Sequence, residues 1–503
     1  MKTLWKEQRK AGVLMPIFSL PADGGIGTLG KGAYAFVDWL YSAGMKVWQV
    51  LPLLPTSYGD SPYQSYASDA LNYYLIDLER LEEDGLLTAE DWRKIDWGQD
   101  AHRVDYGKQY EHKANVLKKA FARFNKQNSE WLAFLKEGFY YDFALFKTLK
   151  KHFGDRAWMD WDEPYKSGDE TAVAQFAKEH AEEIEFWQFT QFIFLQQWNA
   201  LKAYANERGI DIMGDMPIYV ACDSLETWKY RQELFMWSKD DTPSLKAGVP
   251  PDAFCEDGQL WGNPVYDWKK QKKADYRWWK NRIAYALRIF DVLRIDHFRG
   301  FDRFFAIPVD ADTAREGVWM KGPSHHLFAD MADANIVAED LGVIDDGVRR
   351  MLKRTGFPGM KVMMFAFDGD PENEHLPSEY PKNCVAYTGT HDNEPLKAYF
   401  SAMDGETRKA FETTLETQCL QADVPYIVET PEDECESIIE LLFSSAANTV
   451  VVPMHDVLAF GEEARINAPA TVSGNNWTFR FTEKDFRRRK AAWLKTLCER
   501  YRR

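Results

Sequence analysis

Short, nearly continuous apolar runs recur along the chain, each ending in polar or charged residues, with helically spaced apolar positions between them. The runs are Gly12 to Leu20, Met45 to Leu53, Gly209 to Val220, Asp291 to Phe298, Ala334 to Asp340, Lys361 to Phe367, Cys384 to Asp392 and Thr449 to Val457. Such runs are expected of parallel strands buried on both faces. The segments Lys31 to Gly44 and Asp345 to Gly356 instead carry the spacing of helices. Eight strands alternating with helices predict an α/β fold, a (β/α)8 TIM barrel; a doubly wound sheet shares the alternation. The spacing is uneven. Residues 81–207, rich in Trp, Lys, Glu and Phe at helical spacing, predict a mainly helical insertion. Residues 221–285 predict a second insertion, whose Pro- and Gly-rich stretch 247–268 reads as a long loop over a cleft. No repeat, low-complexity tract or linker divides the chain, so residues 1–503 are expected to form one unit. The last strand is followed by a basic helix, Glu483 to Arg503, which leaves no room for a C-terminal β-domain.

Composition narrows the function classes. Hydrophobic residues make up 45% of the 503, enough for a large core. No uncharged apolar stretch reaches the ~20 residues of a membrane span. The apolar start, Val13 to Leu20, is short and broken by Pro16, and reads as a strand rather than a signal peptide. A cytoplasmic protein is expected. The formal charge of −16 disfavours nucleic acid, anionic membranes and polyanionic substrates, whereas a neutral polymer carries no such penalty. The six cysteines are scattered, with no C-x-x-C pair, so neither a zinc site nor a disulfide framework is predicted. Aromatic residues reach 15%, 19 of them Trp; they fit either a large core or a cleft whose flat rings cover sugar faces.

Candidate chemistry sits where the predicted strands run into their loops, the end at which barrel enzymes place it. Asp215 lies on the third strand and Arg294, Asp296 and His297 on the fourth; Glu339 and Asp340 end the fifth, and His391 and Asp392 the seventh. Arg294 and Asp296 are two apart and share a face, where the guanidinium favours an ionised carboxylate suited to a nucleophile. The same pair is equally readable as a structural ion pair. Glu339 leaves a buried run, where desolvation raises a carboxyl pKa and equips it to donate a proton. Taken alone it is as readable as a helix cap, and Asp392, in TGTHDN, as an Asx turn. Three acids at three strand ends match glycosidic cleavage, which needs two carboxylates flanking one bond. Metal-assisted hydrolysis through Asp296, His297, His391 and Asp392 competes, without a recognised ligand motif. A phosphoryl-transfer loop is missing from the sequence. SYGDSPYQSYAS (Ser57 to Ser68) adds Tyr faces and hydroxyls after the second strand.

These segments together carry a resemblance. GDSPYQS (Gly59 to Ser65), GDMPIYV (Gly214 to Val220), AGVPPDAF (Ala247 to Phe254), GQLWGNPVYDW (Gly258 to Trp268), RIDHFRGF (Arg294 to Phe301), AEDLG (Ala338 to Gly342) and TGTHDN (Thr388 to Asn393) stand in this order. In these motifs the chain resembles the 4-α-glucanotransferases called amylomaltases or disproportionating enzymes, glycoside hydrolase family 77. The resemblance implies a barrel related to α-amylases and retaining transfer of α-1,4-glucan segments, with hydrolysis by the same mechanism as the alternative. It implies Asp296 as nucleophile, Glu339 as acid/base and Asp392 as a third acid that holds the sugar. It implies substrate contacts from Tyr63, Asp215, Trp261, Asn263, Arg294, His297, Asp340, Asp368, His391 and Asn467, and from Phe254 in the covering loop. RINAPA (Arg465 to Ala470) departs from the expected RMNTPG-like segment around Asn467. No cofactor and no metal are implied. The implied partners are maltose, maltodextrins and starch or glycogen chains, with no nucleic acid and no membrane.

Overall fold

The computed structural model describes residues 5–251, 256–342 and 344–503, and of Tyr58 only the backbone. The strands, in chain order, are β1 (Lys10–Leu14), β2 (Val47–Gln49), β3 (Asp211–Met216), β4 (Leu245–Val249), β5 (Gln259–Pro264) and β6 (Val292–Ile295). They continue with β7 (Arg303–Pro308), β8 (Val318–Lys321), β9 (Ile336–Ala338), β10 (Gly359–Val362), β11 (Cys384–Tyr387) and β12 (Thr449–Pro453). Eight of them form one parallel sheet in the order β10-β11-β12-β1-β2-β3-β6-β9. Its two edge strands meet: Ala338 N–H donates to the Pro358 carbonyl at 2.9 Å, and Met360 N–H to Asp340 Oδ1 at 2.6 Å. The sheet thus curls into the predicted (β/α)8 barrel.

Each predicted strand overlaps one of these eight. β2, β6, β9, β11 and β12 are buried at every position, which explains their unbroken apolar character. The strands stop earlier than the apolar runs do. After β1 the chain meets Pro16 and turns into a 3-10 helix at Ile17–Ser19; after β10 it does the same at Met363–Ala366. A side chain in such a turn is buried as deeply as in a strand, so hydropathy does not mark the boundary.

A second sheet, antiparallel with order β5-β4-β7-β8, was not legible in the pattern. It pairs the two ends of the predicted loop 247–268 with each other, and β4 with β7 beyond the fourth barrel strand. Each of its strands has only four to six residues, several of them Gly, Pro or charged.

Between β2 and β3 the chain is helical, including Tyr106–Arg123, Tyr141–His152 and Ala181–Glu207. The last of these is a clamp. Gln191 takes the Leu71 N–H at 2.7 Å and donates to the Leu71 carbonyl at 3.0 Å; Gln197 does the same for Asp77 at 2.8 and 3.1 Å. Glu226 holds the Ser68 N–H at 2.8 Å. Buried amides that satisfy both backbone groups fix a loop as a neighbouring strand would, and this loop carries Tyr63. Most tryptophans serve the core: Trp48, Trp131, Trp158, Trp187, Trp198 and Trp279 are fully buried. Among the described residues no helix is long and apolar enough to cross a membrane.

Candidate active site

The site begins with strand register. Asp215 on β3 lies directly opposite Arg294 on β6. Arg294 Nη1 donates to both Asp215 oxygens, at 2.7 and 2.6 Å, and Nη2 donates to Asp296 Oδ1 at 3.0 Å. The Asp215 and Arg294 side chains are 0% and 4% exposed, so this pair is a desolvated platform beneath the site. Tyr63 extends it, its hydroxyl donating to Asp215 Oδ2 at 2.7 Å. Asp296 has its side chain 28% open to the cleft.

The next strand brings Glu339 to the same level, since Glu339 N–H donates to the Ile295 carbonyl at 3.0 Å. Both carboxylate oxygens of Glu339 are engaged: Oε2 accepts from His297 N–H at 2.6 Å and Oε1 from Leu341 N–H at 2.7 Å. His297 reaches this position with φ at +49°, in the left-handed region that non-glycine residues rarely adopt. Its ring meets Trp261 edge-on, 4.8 Å between centroids.

The third acid arrives from the far side of the barrel. Asn467 Nδ2 donates to Asp392 Oδ1 at 2.6 Å, and Asn467 N–H to the His391 carbonyl at 3.1 Å. Within the RINAPA segment Asn467 thus faces Asp392. His391 stacks on Tyr63, 5.1 Å between centroids and 12° between planes, and Trp477 leans on both rings. Trp477 was missed by the sequence reading; one Trp among 19, far from any strand, gives no signal.

Of these groups Tyr63, Trp261, Asp296, His391, Asp392, Asn467 and Trp477 line a cavity of about 550 Å³, together with Gln64, Tyr219, Asn263, Pro469 and Ala470. Asn263 is fixed by donating to the Val220 carbonyl at 2.7 Å. Two candidates lie elsewhere. Asp340 turns away from the cavity to take Met360 N–H across the barrel seam, and burial pushes its carboxyl up to about 6. Asp368 is exposed, in a turn where it accepts from Asp370 N–H at 3.0 Å. Phe254 lies outside the described residues.

One guanidinium faces several carboxylates, and this sets the proton balance. Burial, opposed by Arg294 and reinforced by Asp215, Glu339 and Asp392, pushes Asp296 up to about 8. Glu339 is raised too, by burial first, against Arg294 and the two backbone donors. Arg294 alone was expected to keep Asp296 ionised; in the structure Asp215 takes most of that guanidinium. Both acids therefore hold their protons more tightly than free carboxyls do. Burial holds His297 and His391 neutral, the former down at about 3. Among the described residues no group of three or more His, Cys, Asp or Glu side chains is placed to hold a metal ion.

The 4-alpha-glucanotransferase family model matches residues 15–485. The chain belongs to the 4-alpha-glucanotransferase family. The family's enzyme from Clostridium butyricum is 42% identical over 481 residues, covering 94% of this chain and 96% of its own length. That from Thermus thermophilus is 41% identical, covering 98% of both. A solved structure, an amylomaltase from Streptococcus agalactiae in complex with acarbose, superposes with a TM-score of 0.93 at 40% identity. It covers 99% of this chain and 100% of its own. Family membership and the barrel agree with the motif order; the geometry above shows how this chain assembles the residues those motifs name.

Proposed function

We propose that the protein is a retaining 4-α-glucanotransferase that moves α-1,4-glucan segments from a maltodextrin donor to the 4-OH of glucose or another glucan. The observation that carries this reading is an aromatic-walled cavity lined by Asp296 and Asp392, with Glu339 held beside it by His297 N–H, in a chain of this family.

In the first step an Asp296 carboxylate oxygen attacks C1 of the donor sugar. The C1–O bond breaks, and the leaving oxygen takes the proton from Glu339. In the second step the acceptor 4-OH attacks C1 and gives its proton to Glu339, and the ester bond returns its electrons to Asp296. Asp392, fixed by Asn467, holds the sugar hydroxyls, while His391 and Tyr63 offer a stacked face. The cycle starts from and regenerates an ionised Asp296 and a protonated Glu339. Maltose, maltodextrins and starch or glycogen chains, being uncharged, fit the ring-lined cavity. The stretch 247–268 is read as the cover: its second half supplies Gly258 to Trp261 to the lining and so helps exclude water.

Maltotriose alone tests the reading. Glucose together with chains longer than three units would establish transfer, whereas glucose and maltose without longer chains would show hydrolysis and overturn it.

A further inference from the structure

The cavity carries charge of one sign. Four aspartates line it, Asp257, Asp296, Asp312 and Asp392, and among its described lining residues there is no lysine or arginine. Its histidine, His391, is neutral. Arg294 lies under the floor, occupied by Asp215 and Asp296.

The wall away from the reacting acids is a built one. Ala314 N–H donates to the Asp257 carbonyl at 3.0 Å, and Ala311 N–H to the Pro308 carbonyl at 3.1 Å, tying the β7–β8 connection to the stretch before β5. Two cations of this sheet are turned to other partners. Lys246 Nζ donates to the carbonyls of Val309 and Ala311, at 3.1 and 2.8 Å. Arg315 binds Asp257 at 2.8 Å and Glu256 at 3.2 Å. Asp257 is thereby partly neutralised. Asp312 is exposed, and among the described residues no cation lies within ion-pair distance of it. Residues 252–255, outside the described part, contain no lysine or arginine.

We infer that this cleft admits neutral and cationic sugars as acceptors and turns away anionic ones, phosphorylated glucose above all, with Asp312 setting the discrimination. The inference rests on the transfer reading above. A low-dielectric cleft lined by one sign of charge focuses its field on whatever enters. A phosphate ester brings about −1.5 to −2 charges near neutral pH and meets no lysine or arginine among the described lining residues, while the Arg315 guanidinium beside Asp257 is already held by Asp257 and Glu256. Neutral glucose meets no such field, and an ammonium substituent is attracted. Rejection is a difference between acceptors, produced by a repulsive group rather than by a better contact to the preferred one. Transfer would then not end glucan chains in a charged sugar.

The test uses maltoheptaose as donor and four acceptors: glucose, 6-O-methylglucose, 6-amino-6-deoxyglucose and glucose 6-phosphate. The readout is kcat/KM for each acceptor relative to 6-O-methylglucose in the same protein. The phosphate is expected to be at least about tenfold poorer at low salt, and the amine at least equal. Raising KCl from about 0.02 to about 0.5 M should close most of the phosphate gap, because screening shortens the reach of surface charge. Asp312→Asn should narrow it and Asp312→Lys narrow it further. Phosphate used as well as 6-O-methylglucose at low salt would overturn the inference. So would a gap indifferent to both salt and substitution, or equal rejection of 6-O-methylglucose, since either assigns the loss to size. Failure to transfer to glucose at all would instead remove the transfer reading, and the inference with it.

Discussion

Asp296 and Glu339 share a guanidinium that Asp215 already occupies, and this crowding has a measurable sign. The ordinary unfolded value for an aspartate is about 3.9, and the folded Asp296 carboxyl is pushed up to about 8. A carboxyl raised by folding favours the native state in its protonated form. Its contribution is therefore complete below about pH 4 and is lost as pH climbs through the folded value. Asp296→Asn cannot ionise and escapes that loss. The variant is expected to be more stable than the parent at about pH 8 by roughly 1–3 kcal/mol, less than the full shift implies because the Asp296 side chain is partly open to the cleft. The difference should vanish near pH 4, and transfer should fall by about 10³-fold or more. Urea unfolding of both proteins at the two pH values checks this; parallel pH dependences would rule out a raised carboxyl at Asp296. A second prediction concerns Asn467, whose hydrogen bond orients Asp392. Hydrogen bonds to charged groups contribute about 1.5–3 kcal/mol, so Asn467→Ala should lower kcat/KM for maltotriose by about 10- to 100-fold without unfolding the chain. Unchanged kinetics would mean that Asp392 needs no such support.

At the scale of elements, the barrel strands deliver their acids because they pack at close range. Gly214, beside Asp215 in GDMPIYV, is an example: a Cβ there would sit 2.1 Å from the Phe290 ring. Gly214→Ala must displace either β3 or the end of the helix Arg277–Ile289 that leads into Phe290. Overpacking of this kind costs about 1–3 kcal/mol, and a displaced β3 would also move Asp215 from under Arg294. A thermal melt and an activity assay on that variant, with Gly214→Ala/Phe290→Leu as the relieved partner, would test it. Stability equal to the parent would show that the strand and ring have room to part. The elements also show where sequence reading stops. Each parallel strand was visible because burial on both faces leaves an apolar run. The antiparallel sheet was not, because β4, β5, β7 and β8 are short and only partly buried, and β4 meets β7 only across the folded sheet. The segment 247–268 therefore reads as loop from composition, although its ends are paired.

For the molecule as a whole, the sequence by itself determined the layered alternation of strands and helices, the family, and which residue types end the barrel strands. These follow from local facts: burial imposes its periodicity on neighbouring residues, and motifs are contiguous. It also carried Asn467 as a candidate despite the altered RINAPA segment. Only the tertiary structure decided which acids meet. Register set Asp215 against Arg294; the barrel seam drew Asp340 away to Met360; a left-handed His297 turned its N–H onto Glu339; and Trp477 came in from near the end of the chain. The raised carboxyls of Asp296 and Glu339, and an Asp312 carboxylate without an ion-pair partner among the described residues, are likewise products of assembly. Each depends on groups that lie far apart in sequence and become neighbours only when the strands close, and electrostatic coupling is set by that distance and by the water that folding removes.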